Sequence, residues 1–175
     1  MQEADERRRF EQVLLPHLNA AYNLARWLTR ADHDADDVVQ EAYLRALKSF
    51  AGFHGTDGRA WLLAIVRNAC YTWLQQKRVR QPGAAFDEEI HTPDTGAVTP
   101  VNLLLQKEDK QTVRRAVEEL PVDLREVVVL RELEGLSYKE IAAIADIPMG
   151  TVMSRLARAR ERLQQHLGDL VKKET

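Results

Sequence analysis

The stretch that decides the fold is LPVDLREVVVLRELEGLSYKEIAAIADIPMGTVMSRLARARERL, residues 120–163. Ser137 and Glu140 have the spacing of a capping box, in which two side chains satisfy N–H groups at the start of a helix. A short helix is therefore predicted to open there and to end near Ala145. The following Asp146-Ile147-Pro148 predicts a tight break, because proline cannot continue a helix.

A last helix is predicted from about Met149 to Leu167, and helix, tight turn, helix is the layout of a helix-turn-helix. At 100° per residue, one narrow face of this helix is apolar and is expected to be buried: Val152, Leu156, Ala159, Leu163 and Leu167. Short polar side chains and arginines on the outward side can read base edges and grip phosphates. Ser154 and Arg158 point directly away from the apolar face, whereas Thr151, Arg155 and Arg162 lie on one outward flank and Met153, Ala157 and Arg160 on the other. The alternative interpretation is a solvated arginine face on a structural helix.

The segments on either side of this motif are also helical in pattern. Upstream, one helix is predicted from about Val101 to Glu119, and a second begins at Pro121 and runs to Glu134, with Gly135 as its stop. In the first half, apolar residues from Phe10 to Leu28 recur at the spacing of an amphipathic helix.

Two further helices complete the first half. One runs from near Asp34 to about Lys48, and the other, capped by Asp57, runs from about Gly58 to Arg80. The glycine-rich stretch Ala51 to Gly58 between them predicts a loop.

Between the two halves, QPGAAFDEEIHTPDTGAVTP (81–100) holds three prolines and no periodicity. We interpret it as an acidic, flexible linker. The predicted fold class is all-α, with two small helical domains (1–80 and 101–175), the second a four-helix domain containing the helix-turn-helix. The linker permits both a compact arrangement of the two domains and an extended one.

Two helices of the first domain carry unusual outward faces. On the 34–48 helix, Leu44 lies in the middle of a polar face with Asp36, Asp37, Gln40 and Glu41, which resembles a protein-docking patch. On the 58–80 helix, Arg67, Tyr71 and Arg78 align opposite the expected core face, and an aromatic ring between cations suits opened nucleic-acid strands. An ordinary solvated surface is the alternative in both cases.

The composition excludes several classes of protein. The single cysteine, Cys70, is expected to be a small core residue, and the five histidines show no metal-ligand spacing. MQEADERRRF is not a secretory signal, and no apolar run is long enough to cross a bilayer, so a soluble cytoplasmic protein without membrane insertion is predicted. No nucleophile-base pair or phosphate loop is recognisable, which predicts a protein that is not an enzyme and binds no cofactor or metal.

The net charge of −2 hides strong segregation along the chain. Residues 59–80 hold five Lys and Arg and no acid, residues 81–100 hold four acids and no Lys or Arg, and residues 148–166 hold four arginines against Glu161. Alternating patches of this kind suit a protein with one basic and one acidic partner surface, and the alternative is a dipolar surface without a function.

Two strings resemble a known family. DADDVVQEAYLRALKSF (34–50) with WLLAIVRNACYTWLQQKR (61–78) resembles the promoter-melting domain of sigma-70-type sigma factors, and residues 120–163 resemble their second DNA-binding domain. The short linker is similar to that of the extracytoplasmic-function (ECF) subgroup. The resemblance implies a sigma factor that binds core RNA polymerase and directs transcription initiation, in response to an envelope or environmental signal.

The resemblance also implies roles for the candidate residues. The docking face would bind the clamp helices of the largest polymerase subunit: Asp36, Asp37, Gln40, Glu41 and Leu44. The minus-10 element would be bound by the loop and the helix that follows it: Phe53, His54, Arg67, Asn68 and Tyr71. Thr151, Ser154, Arg155 and Arg158 would bind the minus-35 element, with Met153 and Ala157 departing from the family pattern beside them. An anti-sigma factor, often anchored in the membrane, would hold the protein inactive.

Two other functions fit the residues alone. A conventional helix-turn-helix regulator would bind its operator without polymerase. An interaction protein, such as a decoy or an antagonist of an anti-sigma factor, would carry a vestigial helix-turn-helix, against which the intact arginine face argues.

Overall fold

The structure, a computed structural model, describes residues 2–55, 57–80 and 110–174. Within these ranges every regular element is helical, which confirms the predicted all-α class. The α-helices are α1 (Gln2–Leu14), α2 (Leu18–Thr29), α3 (Asp32–Ser49), α4 (Gly58–Arg80), α5 (Lys110–Glu118), α6 (Val122–Val128), α7 (Tyr138–Ala145) and α8 (Met149–Glu174). The predicted linker over residues 81–100 lies outside the described residues, as does the 101–109 part of the predicted 101–119 helix.

The first amphipathic helix is a correction to the sequence analysis. The single helix expected across Phe10 to Leu28 is two helices, α1 and α2, separated by the 3-10 turn Leu15–His17. Pro16 lies in this turn, and proline lacks the N–H that a continuous α-helix requires.

In the N-terminal unit (α1–α4), helices α2, α3 and α4 pack against one another. An aromatic cluster joins α1, the end of α3 and the start of α4. Phe10 lies edge-on to Phe50 with ring centroids 5.2 Å apart, and Phe53 lies 4.8 Å from Trp61. The cluster anchors the first residues of the glycine-rich loop against the core.

The start of α4 is tightly packed against α1. A Cβ atom built on Gly58 would lie 2.4 Å from Val13 Cγ1 and 2.7 Å from the Val13 carbonyl oxygen. A side chain can turn away, but the carbonyl oxygen moves only if α1 moves with it. Gly58 is therefore the residue that lets these two helices approach.

We expect Gly58→Ala to lower the free energy of unfolding by about 1–3 kcal/mol, the usual cost of overpacking a core. For a chain of this size, each kcal/mol corresponds to a fall in Tm of about 2–4 °C. The matched control is Gly150→Ala in α8, where an added Cβ meets no atom within 4 Å. Thermal unfolding followed by circular dichroism measures both, and equal Tm values would contradict the packing described here.

In the C-terminal unit (α5–α8), α6 is buried from Leu124 to Val128 and continues into a π-helical turn, Val129–Leu133. Gly135 follows with φ +68°, a conformation that glycine adopts without strain. The predicted capping box is present: the Glu140 N–H donates to the Ser137 hydroxyl, and the Ser137 N–H donates to the Glu140 carboxylate. The second of these hydrogen bonds lowers the pKa of Glu140 below its usual value.

The two units pack against each other in the compact arrangement. Helix α4 lies against α7, and α2 lies against α6. Buried apolar side chains of both units form one contiguous cluster. This packing decides which of the candidate functional residues are accessible.

Candidate nucleic-acid and protein-binding surfaces

Helix α8 is oriented by the short break after α7. Asp146 ends α7 in the left-handed region with φ 56°, and the Pro148 carbonyl accepts hydrogen bonds from the Thr151 and Val152 N–H groups at the start of α8. The predicted inner face is confirmed: Val152, Leu156, Ala159 and Leu167 are buried, and Leu163 is partly buried.

The outward side of α8 carries the candidate minus-35 residues. Ser154 and Arg158 are exposed, whereas Thr151 and Arg155 are partly buried. The Arg155 Nε atom lies 4.0 Å from a carboxylate oxygen of Asp123 at the start of α6, which restrains this side chain. Arg160 pairs with Glu132 at 3.2 Å. Arg158 makes no ion pair within the described part of the chain, so its charge is available to a ligand.

The outward side of α3 brings the candidate docking residues together. Asp36, Asp37, Gln40, Glu41 and Leu44 are all exposed and share one side of the helix. Two of the acids have helical neighbours as partners: Asp37 lies 3.6 Å from His33, and Glu41 accepts a 2.9 Å hydrogen bond from Arg45. Leu44 is 56% exposed, so a large apolar side chain stands in solvent among acids.

The candidate minus-10 residues divide into accessible and covered groups. His54 and Asn68 are exposed. Phe53 is buried in the aromatic cluster, so its ring is not presented to solvent.

Arg67 and Tyr71 are a correction to the predicted exposed face of α4. Arg67 Nε donates to Glu126 Oε1 at 2.5 Å, and the Tyr71 hydroxyl donates to Glu126 Oε2 at 2.6 Å. The Arg67 guanidinium also lies over the Tyr71 ring, 3.8 Å from its centroid. Burial, with the nearby Glu126 carboxylate, raises the pKa of Tyr71 and keeps its phenol protonated. The C-terminal unit covers this face of α4. The helical periodicity of α4 shows which residues point away from the core of the N-terminal unit, but it does not show that another unit packs on them.

Some residues of these surfaces were not identified from the sequence. Glu126 is an acid within the largely apolar segment LREVVVL and is fully buried. Because a buried carboxylate requires a paired cation or hydrogen-bond donors, its position in the sequence predicts that such groups lie nearby. Arg45, Lys48 and Ser49 of α3 line an open groove with Ile65 and Asn68 of α4. The signal for this groove was that Arg45 and Lys48 are the two cations of an otherwise acidic segment.

Metal-binding groups, membrane-spanning helices and the cysteine can be examined in the part of the chain that the structure describes. They contain no group of three or more side chains arranged to hold a metal ion. None of the described helices combines the length and the apolar composition needed to cross a bilayer. Cys70 is buried, which raises the pKa of its thiol to about 12 and leaves it protonated, as expected for a core cysteine.

Each half of the chain matches a known protein family. The family described as Sigma-70 region 2 matches residues 14–80, and the family described as Sigma-70, region 4 matches residues 110–163. The chain is 41% identical over 147 residues to the ECF RNA polymerase sigma-E factor of Escherichia coli strain K12, covering 80% of this chain and 77% of that protein. It is 37% identical over 155 residues to the sigma-E factor of Haemophilus influenzae, covering 85% and 81%.

Two solved structures are similar to the whole chain. One is the sigma factor RpoE of Bartonella quintana in complex with the anti-sigma factor NepR, with a TM-score of 0.71, 31% identity, and coverage of 91% of this chain and 97% of that chain. The other is CnrH in complex with the cytosolic domain of CnrY, with a TM-score of 0.63, 26% identity, and coverage of 97% and 91%.

The matches to region 2 and region 4 place both halves of the chain in the sigma-70 class of transcription factors. The chain belongs to the ECF group of sigma-70 family RNA polymerase sigma factors. Proteins of this family direct core RNA polymerase to promoters and are not themselves enzymes.

Proposed function

We propose that the chain divides the work of promoter recognition between residues 1–80, which bind polymerase and the minus-10 element, and residues 101–175, which bind the minus-35 element. Residues 81–100 connect the two domains. The observation that carries this proposal is the presence of two separate and chemically different faces. An acid-rimmed leucine stands exposed on α3, and an exposed arginine stands on α8.

The α3 face would dock on the clamp helices of the largest polymerase subunit. Asp36, Asp37, Gln40 and Glu41 would form a polar rim around the apolar contact of Leu44, which is the usual anatomy of a protein interface. Rim charges steer the encounter, and the buried apolar contact supplies affinity.

The outward side of α8 would lie in the major groove of the minus-35 element. Arg158 supports this role through its exposure, and Ser154 lies one turn before it on the same side. Thr151 and Arg155, which are partly buried at the edge of this outward side, would add further contacts, and Asp123 would hold Arg155 in place. Arginine binds phosphate oxygens and the guanine edge, whereas a short hydroxyl can approach the bases closely.

The minus-10 element would be bound by the loop after α3 and by α4. His54 and Asn68 are accessible, and the groove beside Asn68 adds the cations Arg45 and Lys48. We assign Phe53 to anchoring the loop rather than to touching a base, because its ring packs on Phe50 and Trp61. Arg67 and Tyr71 would reach the opened strand once the C-terminal unit moves away.

Regulation would come from an anti-sigma factor that covers the polymerase-binding faces. One of the two similar structures was solved with the anti-sigma factor NepR, and the other with the cytosolic domain of CnrY. The chain would act in the cytoplasm, and at the membrane when its anti-sigma partner is anchored there. It would have no catalytic residues, cofactor or metal, because the polymerase performs the chemistry.

Footprinting of a promoter fragment with the chain alone, core polymerase alone and both together tests this function. We expect protection of the minus-35 and minus-10 elements only when both are present. Full protection by the chain alone, unchanged by polymerase, would instead identify a conventional helix-turn-helix regulator.

A further inference from the structure

Glu126 is the most completely buried carboxylate among the residues that the structure describes, with 0% exposure. It lies in α6 of the C-terminal unit, but the hydrogen bonds to its carboxylate come from the other unit. Oε1 accepts from Arg67 and Oε2 accepts from Tyr71, both on α4. A buried carboxylate is costly unless it is paired and hydrogen-bonded. The buried Glu126 carboxylate therefore has these hydrogen-bond donors only while the two units are packed together.

The partners of Glu126 are also chemically informative. A guanidinium and a phenol whose donors aim at two oxygens of one anion can also donate to a phosphate, and an aromatic ring beside a cation can stack on a base. Glu126 supplies the two oxygens from within the chain. The carboxylate thus accepts the two hydrogen bonds, from Arg67 and from Tyr71, that phosphate oxygens could also accept.

Other polar contacts accompany the apolar packing across the same interface. Arg125, beside Glu126 and 1% exposed, donates to the Leu28 carbonyl oxygen at the end of α2 at 3.2 Å. Arg59 at the start of α4 donates to the Glu134 carbonyl oxygen. Buried ion pairs stabilise an interface less than apolar packing of the same volume does, but they fix its register. The polar contacts therefore fix the geometry in which the apolar faces of the two units meet.

We propose that Glu126 is an internal competitor of nucleic acid, which closes the two units over Arg67 and Tyr71 and withholds them from an opened strand until the units separate. This inference rests on the proposed function in one respect, the assignment of Arg67 and Tyr71 to the strand. The isolated protein is then closed to single strands. Separation of the two units exposes the strand-binding pair and the solvated Glu126 carboxylate together.

The test uses the full chain with Glu126→Gln, which keeps the shape of the side chain and removes its charge. The control is Glu132→Gln, which removes a carboxylate from an exposed ion pair with Arg160 inside the C-terminal unit. Circular dichroism first establishes that each variant is folded. Small-angle X-ray scattering then measures the radius of gyration, which is about 16 Å for a compact chain of this length.

We expect the wild-type chain and Glu132→Gln to be compact, and Glu126→Gln to be expanded because its open population rises about tenfold or more. Arg67→Gln breaks the same pair from α4 and should expand the chain in the same way. Compact scattering from both Glu126→Gln and Arg67→Gln would overturn the proposal.

Fluorescence anisotropy with labelled oligo(dT) measures competition directly. When only the open form binds, apparent affinity is proportional to its population, so Glu126→Gln should bind about tenfold more tightly than the wild-type chain. An expanded Glu126→Gln variant with wild-type affinity would show that Glu126 does not compete with nucleic acid. Neither measurement needs polymerase or a promoter. A failure of the proposed function, seen as absence of polymerase-dependent promoter protection, is therefore distinguishable from a failure here.

Discussion

Leu44→Asp should weaken binding of the chain to core RNA polymerase by about thirtyfold or more. A side chain at the centre of an interface contributes about 2 kcal/mol or more when it is a principal contact, and a new charge there must also be desolvated. Leu44 is 56% exposed and ringed by the acids of α3, so its replacement leaves the core of the N-terminal unit intact. The dissociation constant can be measured by surface plasmon resonance with immobilised core polymerase.

The matched control for this prediction is Leu15→Asp. Leu15 is 49% exposed and lies in the turn between α1 and α2, away from the docking face of α3. We expect it to bind core polymerase as the wild-type chain does. Equal affinities for Leu44→Asp and the wild-type chain would remove α3 as the docking surface, and equal losses in both variants would indicate a general effect of surface charge.

Arg158→Ala should lower transcription from promoters that depend on a minus-35 element by about tenfold or more, while core binding is unchanged. The reason is that one good arginine contact to a base edge contributes about 1–3 kcal/mol of discrimination, and a phosphate contact contributes to affinity at all sequences. Arg158 is exposed on the side of α8 opposite the buried face. Multiple-round transcription in vitro, together with the core-binding measurement, separates DNA recognition from polymerase recruitment.

Arg160→Ala is the control for the arginine at position 158. It removes the same charge from the same helix, but Arg160 already pairs with Glu132. We expect transcription in this variant to remain within about twofold of wild type, since surface pairs contribute little. Loss of core binding in Arg158→Ala would contradict the assignment of faces, and so would equal losses of transcription in the two arginine variants.

Much of the local helical structure could be predicted from the sequence because its signals act between residues that are close along the chain. Ser137 and Glu140 cap α7 as predicted, and Asp57 accepts a hydrogen bond from the Ala60 N–H at the start of α4. The apolar repeat from Val152 to Leu167 identified the buried face of α8. Each of these signals operates over three or four residues, which is the range that a helical pattern covers.

What the sequence did not indicate depends on contacts between distant residues. Arg67 and Glu126 are 59 positions apart, so nothing in the pattern of α4 showed that its outward face is covered. Pro16 is a local signal for the break between α1 and α2. The apolar repeat keeps its helical spacing on both sides of the turn that contains Pro16, and the repeat alone therefore predicted one continuous helix. The proposed docking role of Leu44 rests on two sources: the structure shows that the side chain is exposed, and the family supplies the partner.

The most direct test of the central claim is transcription in vitro from genomic DNA of the source bacterium, with core polymerase in the presence and absence of the purified chain. The 5′ ends of the transcripts are then mapped by sequencing. Addition of the chain should create a new set of discrete start sites that share sequence elements upstream. Start sites identical to those of core polymerase alone would contradict the claim that this protein confers promoter specificity.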